Sequence, residues 1–215
     1  MQLSSDQKTA LESFKEGKNI FITGPGGTGK TELIKHLVEN AKLRKKSIQV
    51  CALTGCASVL LGCGAKTVHS WANIGLASGD SERIIERVSK SKYKKKVWLN
   101  TDILIIDEVS MMSVKLLEIL DELGRVIRHN HMMPFGGIQI VLSGDFYQLP
   151  PVGDKDEPET YKFCFESSKW NSVIDEIVCL KTMFRQTDPI YAKILNQIRI
   201  GKLYKSSFDV LQKCI

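Results

Sequence analysis

Short apolar runs alternate along the chain with longer segments in which apolar residues recur every three or four positions. The short runs predict buried strands at 19–23, 47–53, 103–106, 138–143 and 177–180. The periodic segments predict helices at 8–14, 32–38, 81–88, 94–99, 113–129 and 189–200. Strands that alternate with helices form a parallel sheet with helices on both faces, so the pattern predicts an α/β fold.

Length and composition narrow the class of protein. A chain of 215 residues forms one large domain or two small ones, and its 43% hydrophobic and 25% charged residues are ordinary for a soluble globular protein. No apolar run reaches the length of a membrane span, and residues 1–6 lack the basic and apolar regions of a signal peptide. We therefore expect an intracellular protein with no membrane partner; a nuclear, mitochondrial, bacterial cytoplasmic or viral setting stays open.

The net charge of +6 is concentrated in two basic runs. The first run holds Lys42, Arg44, Lys45 and Lys46, and the second holds Lys90, Lys92, Lys94, Lys95 and Lys96. Such runs are typical of a solvated surface, and they also suit a surface that contacts the phosphates of nucleic acid. The sequence leaves both interpretations open.

The segment 24–31 reads GPGGTGKT and fits the G-x-x-x-x-G-K-[ST] pattern of phosphate-binding loops. A predicted strand precedes it and a predicted helix follows, which is the context that the pattern requires. Glycines let backbone N–H groups close around phosphate oxygens, Lys30 can reach the β- and γ-phosphates, and the Thr31 hydroxyl can ligate Mg²⁺. The predicted contacts to a nucleoside triphosphate are Gly24, Gly26, Gly27, Thr28, Gly29, Lys30 and Thr31.

Two carboxylates, Asp107 and Glu108, follow the third predicted strand. In a nucleoside triphosphatase, the first would hold Mg²⁺ and the second would act as general base on the attacking water. Alternatively, both could cap the helix predicted to begin near Ser113. The phosphate-binding pattern upstream favours the catalytic interpretation.

The fourth predicted strand ends in GDFYQLPP, residues 144–151. This segment leaves the sheet at the same edge as the other two motifs, where ligands bind in parallel α/β sheets. The amide of Gln148 can both donate and accept hydrogen bonds, which suits a sensor of the γ-phosphate. A turn that simply ends at the prolines is the alternative, and the specificity of the string favours the functional interpretation.

These three motifs together resemble the Pif/RecD branch of superfamily-one DNA helicases, and the Pif-like group in particular. Segments 53–58, 64–71, 135–139 and 183–186 resemble that group too, so the resemblance runs from about Ser4 to about Leu211. It implies a RecA-like P-loop ATPase domain over residues 1–200. It also implies a motor that uses ATP and Mg²⁺ and moves 5′ to 3′ on single-stranded or forked DNA.

The resemblance gives roles to two residues that the pattern alone leaves as ordinary polar positions. Gln7 matches a motif that reads the adenine edge, since its amide can both donate and accept. Arg185 resembles an arginine that points at the γ-phosphate and stabilises transition-state charge. The predicted catalytic residues are therefore Lys30, Glu108, Gln148 and Arg185, and the predicted Mg²⁺ ligands are Thr31 and Asp107.

The resemblance also implies DNA contacts at Thr54, Gly55, Thr67, His69 and Trp71. Small hydroxyl and glycine positions allow close approach to a phosphate backbone. His69 can hydrogen-bond a phosphate, and Trp71 offers a stacking face to an unpaired base. The alternatives are a structural histidine at 69 and a core position for Trp71.

Helicases of this type hold ATP between two RecA-like lobes, and nothing after Arg185 resembles the motifs of a second lobe. We expect residues 201–215 to begin the connection to that second lobe. We also expect weak ATP binding, little hydrolysis and no unwinding from this chain, because one lobe cannot open and close around a nucleotide. Two alternatives stay open, namely a RecD-like or relaxase-associated helicase lobe, and a nucleotide-binding module without turnover.

Overall fold

Six parallel strands form one sheet in residues 3–186 and 188–212, the part of the chain that the computed structural model describes. They are β1 (Ile20–Thr23), β2 (Ile48–Ala52), β3 (Lys66–Thr67), β4 (Ile103–Asp107), β5 (Gln139–Gly144) and β6 (Glu176–Cys179). The strands lie in the order β3-β2-β4-β5-β1-β6, and each neighbouring pair is parallel. The predicted parallel sheet is confirmed.

Helices cover both faces of this sheet. They are α1 (Ser5–Lys15), α2 (Lys30–Leu43), α3 (Gly55–Leu61), α4 (Val68–Ala72), α5 (Ser81–Ser89), α6 (Lys92–Leu99), α7 (Val114–Ile127), α8 (Trp170–Val173), α9 (Pro189–Arg199) and α10 (Lys205–Gln212). The apolar core is divided into two clusters, one beneath α1 and α2 and the other beneath α4 to α8. No helix in the described part of the chain is long and apolar enough to cross a membrane.

The strand β4 shows how the sheet separates the two clusters. Leu104 and Ile106 belong to the cluster beneath α4 to α8, whereas Ile103 and Ile105 belong to the cluster beneath α1 and α2. Successive side chains of a strand point to opposite faces. Because both faces are covered, every residue of β4 is buried, and this explains the uninterrupted apolar run from Ile103 to Ile106.

The segment 54–79 shows no clear periodicity, yet it contains α3, α4 and the edge strand β3. Thr54 precedes α3 and Thr67 precedes α4, and each hydroxyl accepts a hydrogen bond from a backbone N–H of its helix. The strand β3 pairs with β2 through two residues. Elements this short are fixed largely by caps and neighbours, so hydrophobic spacing alone gives only a weak signal for them.

Candidate active site

A cleft of about 820 Å³ opens at the carboxyl edge of the sheet, where the chain leaves β1, β2, β4, β5 and β6. This is the edge at which parallel α/β sheets bind their ligands. The predicted residues that line the cleft are Gly26, Gly27, Gly29, Lys30, Thr31, Thr54, Asp107, Glu108, Gln148 and Arg185. The fold therefore brings the three nucleotide motifs together in one place.

The loop 24–29 between β1 and α2 has no room for side chains at two of its glycines. A Cβ at Gly24 would lie 2.5 Å from the Leu180 carbonyl oxygen, and one at Gly27 would lie 2.8 Å from Cβ of Arg185. Their φ angles of +150° and +90° also favour glycine. The loop consequently packs directly against the segment that follows β6.

Lys30 begins α2 and reaches back over this loop. Its Nζ donates to the carbonyl oxygens of Gly24 at 2.7 Å and of Pro25 at 3.1 Å. Burial lowers the pKa of Lys30, and the carboxylates of Asp145 and Asp107 oppose part of that shift. The ammonium group thus lies beside the loop whose N–H groups and helix N-terminus form an anion site.

Gln7 and Thr28 support the loop from behind and do not line the cleft. Gln7 is 3% exposed, its Nε2 donates to the Gly29 carbonyl oxygen, and its Oε1 accepts from the Ser4 N–H in a capping box. The Thr28 hydroxyl donates to the Pro25 carbonyl oxygen at 2.9 Å. Gln7 does not line the cleft, so its contact with adenine stays a prediction.

Asp107 ends β4 and shares the cleft with Thr31. Burial raises the pKa of the Asp107 carboxyl, while the charge of Lys30 opposes the rise. In the described residues, no group of three or more His, Cys, Asp or Glu side chains could hold a metal. Mg²⁺ is usually bound through one or two carboxylates plus substrate phosphates, so the Asp107 carboxylate and the Thr31 hydroxyl fit that ion.

Glu108 has the left-handed backbone conformation, with φ 59° and ψ 39°. For a residue other than glycine this costs on the order of 1–3 kcal/mol, and such strain is concentrated at functional sites. Burial raises the pKa of Glu108, and the adjacent charge of Asp107 raises it further. A raised pKa makes the carboxylate a better proton acceptor, which suits a general base.

A buried ion pair holds the turn that carries Gln148. Asp145, which follows β5, is 1% exposed and accepts two hydrogen bonds of 2.7 Å from Arg199 of α9. Gln148 Nε2 donates to the same carboxylate at 3.4 Å, and the Arg199 guanidinium lies 4.4 Å from the centre of the Tyr147 ring. Sequence reasoning missed Arg199, because nothing distinguishes it there from any other basic residue near a helix end.

Breaking this pair is expected to destabilise the protein. Arg199→Ala leaves Asp145 buried without its partner, and such a loss costs about 3–5 kcal/mol. The double variant with Asp145→Asn is expected to lose less than the sum of the single variants in urea unfolding, because the two side chains interact directly. Additive losses would show that the contact contributes nothing to stability.

The contribution of the pair is also expected to depend on pH. Burial alone raises the pKa of Asp145, but the hydrogen bonds and charge of Arg199 more than compensate and hold it below its usual range. A lowered folded-state pKa stabilises the protein above the unfolded pKa of about 3.9, and the stabilisation is lost as pH falls through the folded value. Without Arg199, burial should raise the pKa of Asp145 in the variant, while the unfolded state is the same in both proteins. The difference in unfolding free energy between wild type and Arg199→Ala should therefore begin to shrink as pH falls through the raised pKa of the variant, and continue to shrink down to the lowered pKa of the wild type.

The segment after β6 lies over the phosphate loop. The N–H groups of Phe184 and Arg185 both approach the Gly27 carbonyl oxygen, at 2.9 Å and 3.3 Å. The Phe184 ring lies near Gly29 and is partly exposed in the cleft. This places Arg185 in the predicted site, although its contact with a γ-phosphate stays a prediction. Phe184 has no sequence signal beyond its place before Arg185.

Three of the predicted DNA contacts lie where β2 and β3 end. Thr54 lines the nucleotide cleft, Gly55 is exposed at the start of α3, and Thr67 is half-buried at the start of α4. His69 instead lines a second cleft of about 200 Å³, with Met111 among its neighbours. Burial lowers the pKa of His69, which favours the neutral ring. The DNA contacts of these four residues stay predictions.

The position of Trp71 contradicts the prediction that its ring stacks on an unpaired base. The residue is 1% exposed, and its ring packs against Trp98 with the ring centroids 4.5 Å apart. Val68, Trp71 and Ala72 have the i, i+3, i+4 spacing of one helix face, and all three are buried in the core. An enclosed ring has no face for an unpaired base, so the predicted stacking at Trp71 is wrong and the core alternative is correct.

Comparison with known proteins identifies relatives of the whole chain. The family model described as PIF1-like helicase matches residues 2–207. The ATP-dependent DNA helicase RRM3 of Saccharomyces cerevisiae is 41% identical over 191 residues, which cover 88% of this chain and 26% of the yeast protein. The chain therefore spans about a quarter of the length of that relative.

Solved structures of similar proteins share the fold. Pif1 helicase from Candida albicans superimposes with a TM-score of 0.87 at 37% identity, over 96% of this chain and 46% of that one. Pif1 helicase from Bacteroides, in complex with ADP-AlF3 and single-stranded DNA, gives a TM-score of 0.83 at 30% identity, over 98% of this chain and 49% of that one. With its parallel sheet, its nucleotide cleft and a family model that matches almost its entire length, the chain belongs to the PIF1-like helicase family.

Proposed function

We propose that this chain is the first motor lobe of an ATP-dependent helicase that moves 5′ to 3′ along single-stranded DNA. The observation that carries the proposal is the cleft at the carboxyl edge, which unites the phosphate loop, Asp107, Glu108, Gln148 and Arg185. The similarity to ATP-dependent DNA helicase RRM3 supports it, as does the similarity to a Pif1 helicase crystallised with ADP-AlF3 and single-stranded DNA.

The chemistry of the lobe follows from the positions of its own side chains. The loop N–H groups and Lys30 bind the phosphates, and Thr31 and Asp107 are the residues that would hold Mg²⁺. The chemistry that the ion would supply there is neutralisation of charge on the phosphate oxygens. Glu108 orients the attacking water and accepts its proton, because its raised pKa and strained turn present a basic carboxylate to the cleft.

The DNA side of the proposal rests on the neighbourhood of Thr54 and Thr67. These residues begin α3 and α4 at the edge where the nucleotide cleft opens, so DNA bound there would be linked to the nucleotide through short helices. Their hydroxyls accept a backbone hydrogen bond each and keep a proton to donate to a phosphate.

A second RecA-like lobe belongs to the same proposal. The nucleotide cleft is partly open to solvent, and opening and closing of two lobes around ATP would convert turnover into movement. We place the ATPase lobe at residues 1–200 and the start of the connection at 201–215, of which 213–215 lie outside the described residues. Unwinding of a 5′-tailed duplex by the 215-residue chain alone would contradict this division.

A binding module without turnover is the competing function. Such a module needs the phosphate loop to bind the nucleotide. It does not need a general base or an arginine in the cleft, because these groups act in hydrolysis. The presence of Glu108 and Arg185 beside the loop therefore favours hydrolysis.

Replacing Lys30 with alanine tests the nucleotide site. We expect Lys30→Ala to lose both ATP binding and turnover, because it removes the one lysine in the cleft lining of the described residues. Titration with a fluorescent ATP analogue measures the first, and phosphate release with single-stranded DNA, in a chain that includes the second lobe, measures the second. The matched control is Lys35→Ala, an exposed lysine of the same helix whose pair with Glu32 contributes little. Equal effects of the two substitutions would contradict the site.

A further inference from the structure

The Asp145 carboxylate joins the turn after β5 to α9. Arg199 Nη2 and the Tyr147 N–H both donate to its Oδ1, at 2.7 Å and 3.2 Å. Arg199 Nε and Gln148 Nε2 both donate to its Oδ2, at 2.7 Å and 3.4 Å. A carboxylate offers about four lone-pair sites, so these hydrogen bonds use its whole accepting capacity.

The hydrogen bonds to Asp145 differ in strength. Arg199 forms the two shortest, which are charge-assisted and bidentate and therefore among the strongest contacts between side chains. The bond from Gln148 is the longest, and at 3.4 Å it lies beyond the usual range for an N–H donor. Gln148 is also exposed and lines the nucleotide cleft. Its amide can therefore leave Asp145 at little cost when another acceptor enters the cleft.

Removal of Arg199 would change this balance. Asp145 is 1% exposed, so water cannot solvate its charge and the carboxylate depends on the donors that remain. In the part of the chain that the structure describes, those donors are the Tyr147 N–H and the Gln148 amide. The Tyr147 N–H is fixed by the turn, whereas the Gln148 side chain can rotate. We therefore expect the unpaired carboxylate to draw the Gln148 amide closer and to hold it away from a γ-phosphate.

The ion pair also acts on the charge of the phosphate loop. Burial lowers the pKa of Lys30, and among the surrounding charges Asp145 opposes that shift most strongly, while Arg199 adds to it. The carboxylate is therefore close enough to the loop to repel a phosphate that is bound there. When Arg199 neutralises Asp145, that repulsion is reduced.

We propose that Arg199 is a positioning residue for the γ-phosphate: by occupying both oxygens of Asp145, it leaves the Gln148 amide free to contact that phosphate. The inference deepens the proposed function and rests on the predicted role of Gln148. Arg199 is not among the residues that line the cleft, so it acts through Asp145 and Gln148. It comes from the end of α9, 54 residues after Asp145. The preference for ATP over ADP then depends on the position of α9.

The helix α9 in turn holds the segment that follows it. Gln197 is 5% exposed, and its Oε1 accepts a hydrogen bond from the Tyr204 N–H at 3.2 Å. Its carbonyl oxygen accepts from the Lys202 N–H at 2.9 Å. Because 201–215 is expected to begin the connection to the second lobe, Arg199 lies between the γ-phosphate sensor and that connection. Under the proposal, γ-phosphate binding and the position of α9 influence each other reciprocally.

The test compares the affinities for a non-hydrolysable ATP analogue and for ADP, in a chain that includes the second lobe. The ratio of the two affinities isolates the γ-phosphate, which ADP lacks. Gln148→Ala should lower this ratio about 10- to 100-fold, the effect of one hydrogen bond to a charged group. Arg199→Ala should lower it by about tenfold or more, up to the loss in Gln148→Ala, and leave the affinity for ADP largely unchanged.

Two double variants show whether Arg199 acts through its partners. Adding Arg199→Ala to Gln148→Ala should lower the ratio no further, because the amide that Arg199 releases is already absent. Adding Asp145→Asn to Arg199→Ala should restore most of the ratio, because the side chain then carries no charge that holds Gln148. A residue that only stabilised the fold would weaken the binding of both nucleotides equally.

The matched control is Arg128→Ala. Arg128 also ends a helix, α7, and it donates to the carbonyl oxygens of Trp98, Thr101 and Gly136. It does not line the nucleotide cleft. We expect Arg128→Ala to lower stability in urea unfolding and to leave the ratio of affinities unchanged.

Four results would overturn the proposal. They are an unchanged ratio in Arg199→Ala, an equal loss in Arg128→Ala, a further loss when Arg199→Ala is added to Gln148→Ala, and no recovery with Asp145→Asn. A ratio that falls in Gln148→Ala but not in Arg199→Ala removes this inference and leaves the proposed function intact. A ratio that is unchanged in Gln148→Ala removes the predicted sensor as well. Retained ADP binding shows that each variant is folded.

Discussion

Replacing Glu108 with glutamine is expected to lower ATP turnover about 10²–10⁴-fold while ATP binding is retained. Glutamine preserves the shape and much of the polarity of the side chain, but its amide cannot accept a proton from the attacking water. Turnover is measured as phosphate release with single-stranded DNA, in a chain that includes the second lobe. Binding is measured by titration with a labelled ATP analogue.

A second glutamate that lines the cleft serves as the control for Glu108→Gln. Glu32 lines the same cleft, is about half exposed and pairs with Lys35, so Glu32→Gln changes the same charge without touching the base. We expect Glu32→Gln to keep both binding and turnover. Turnover that survives in Glu108→Gln would remove Glu108 as the general base, and loss of turnover in both variants would point to a general effect of charge.

Because the pKa of Glu108 is raised, the rate of ATP turnover is also expected to depend on pH. Burial and the charge of Asp107 keep the proton on Glu108 at pH values where an ordinary glutamate has already lost it. As pH falls, Glu108 therefore becomes protonated, and can no longer act as a base, at a higher pH than an ordinary glutamate. The acid limb of the rate profile should lie above the ordinary glutamate pKa of about 4.3. An acid limb at or below that value would contradict the assignment.

Replacing Arg185 with alanine is expected to lower turnover about 10³–10⁵-fold, with a much smaller loss of ATP binding. A guanidinium in the cleft stabilises charge on the transferring phosphoryl group, and this charge is greatest in the transition state. The backbone of Arg185 contacts the Gly27 carbonyl oxygen whatever its side chain, so the loop itself should stay in place. Single-turnover kinetics with single-stranded DNA, in a chain that includes the second lobe, separates the chemical step from binding.

Two controls define what the arginine contributes. Arg185→Lys keeps a positive charge but loses the planar fork, so its turnover should lie between wild type and Arg185→Ala. Arg83→Ala removes an exposed arginine of α5 that pairs with Asp80, and it should leave turnover unchanged. If Arg185→Ala weakened binding as much as it lowered turnover, the arginine would act on bound ATP in the ground state and not on the transition state.

The strands and longer helices could be predicted because their signals are local. The buried run of β4 and the helical spacing of α7 are properties of consecutive residues, and both elements lie where the pattern places them. The phosphate loop is equally local, since its glycines and its position between strand and helix are all visible in one segment. The short elements in 54–79 carry a weaker local signal, because helix caps and pairing with neighbouring elements define them.

The sequence by itself determined the α/β class, the longer strands and helices, the phosphate loop, and the two carboxylates at the carboxyl end of β4. Tertiary structure alone decided that Trp71 is enclosed and that Arg199 neutralises Asp145. The physical reason is the range of each effect. Backbone geometry and hydrophobic periodicity act over a few residues, whereas burial and ion pairing depend on which segments the sheet brings side by side.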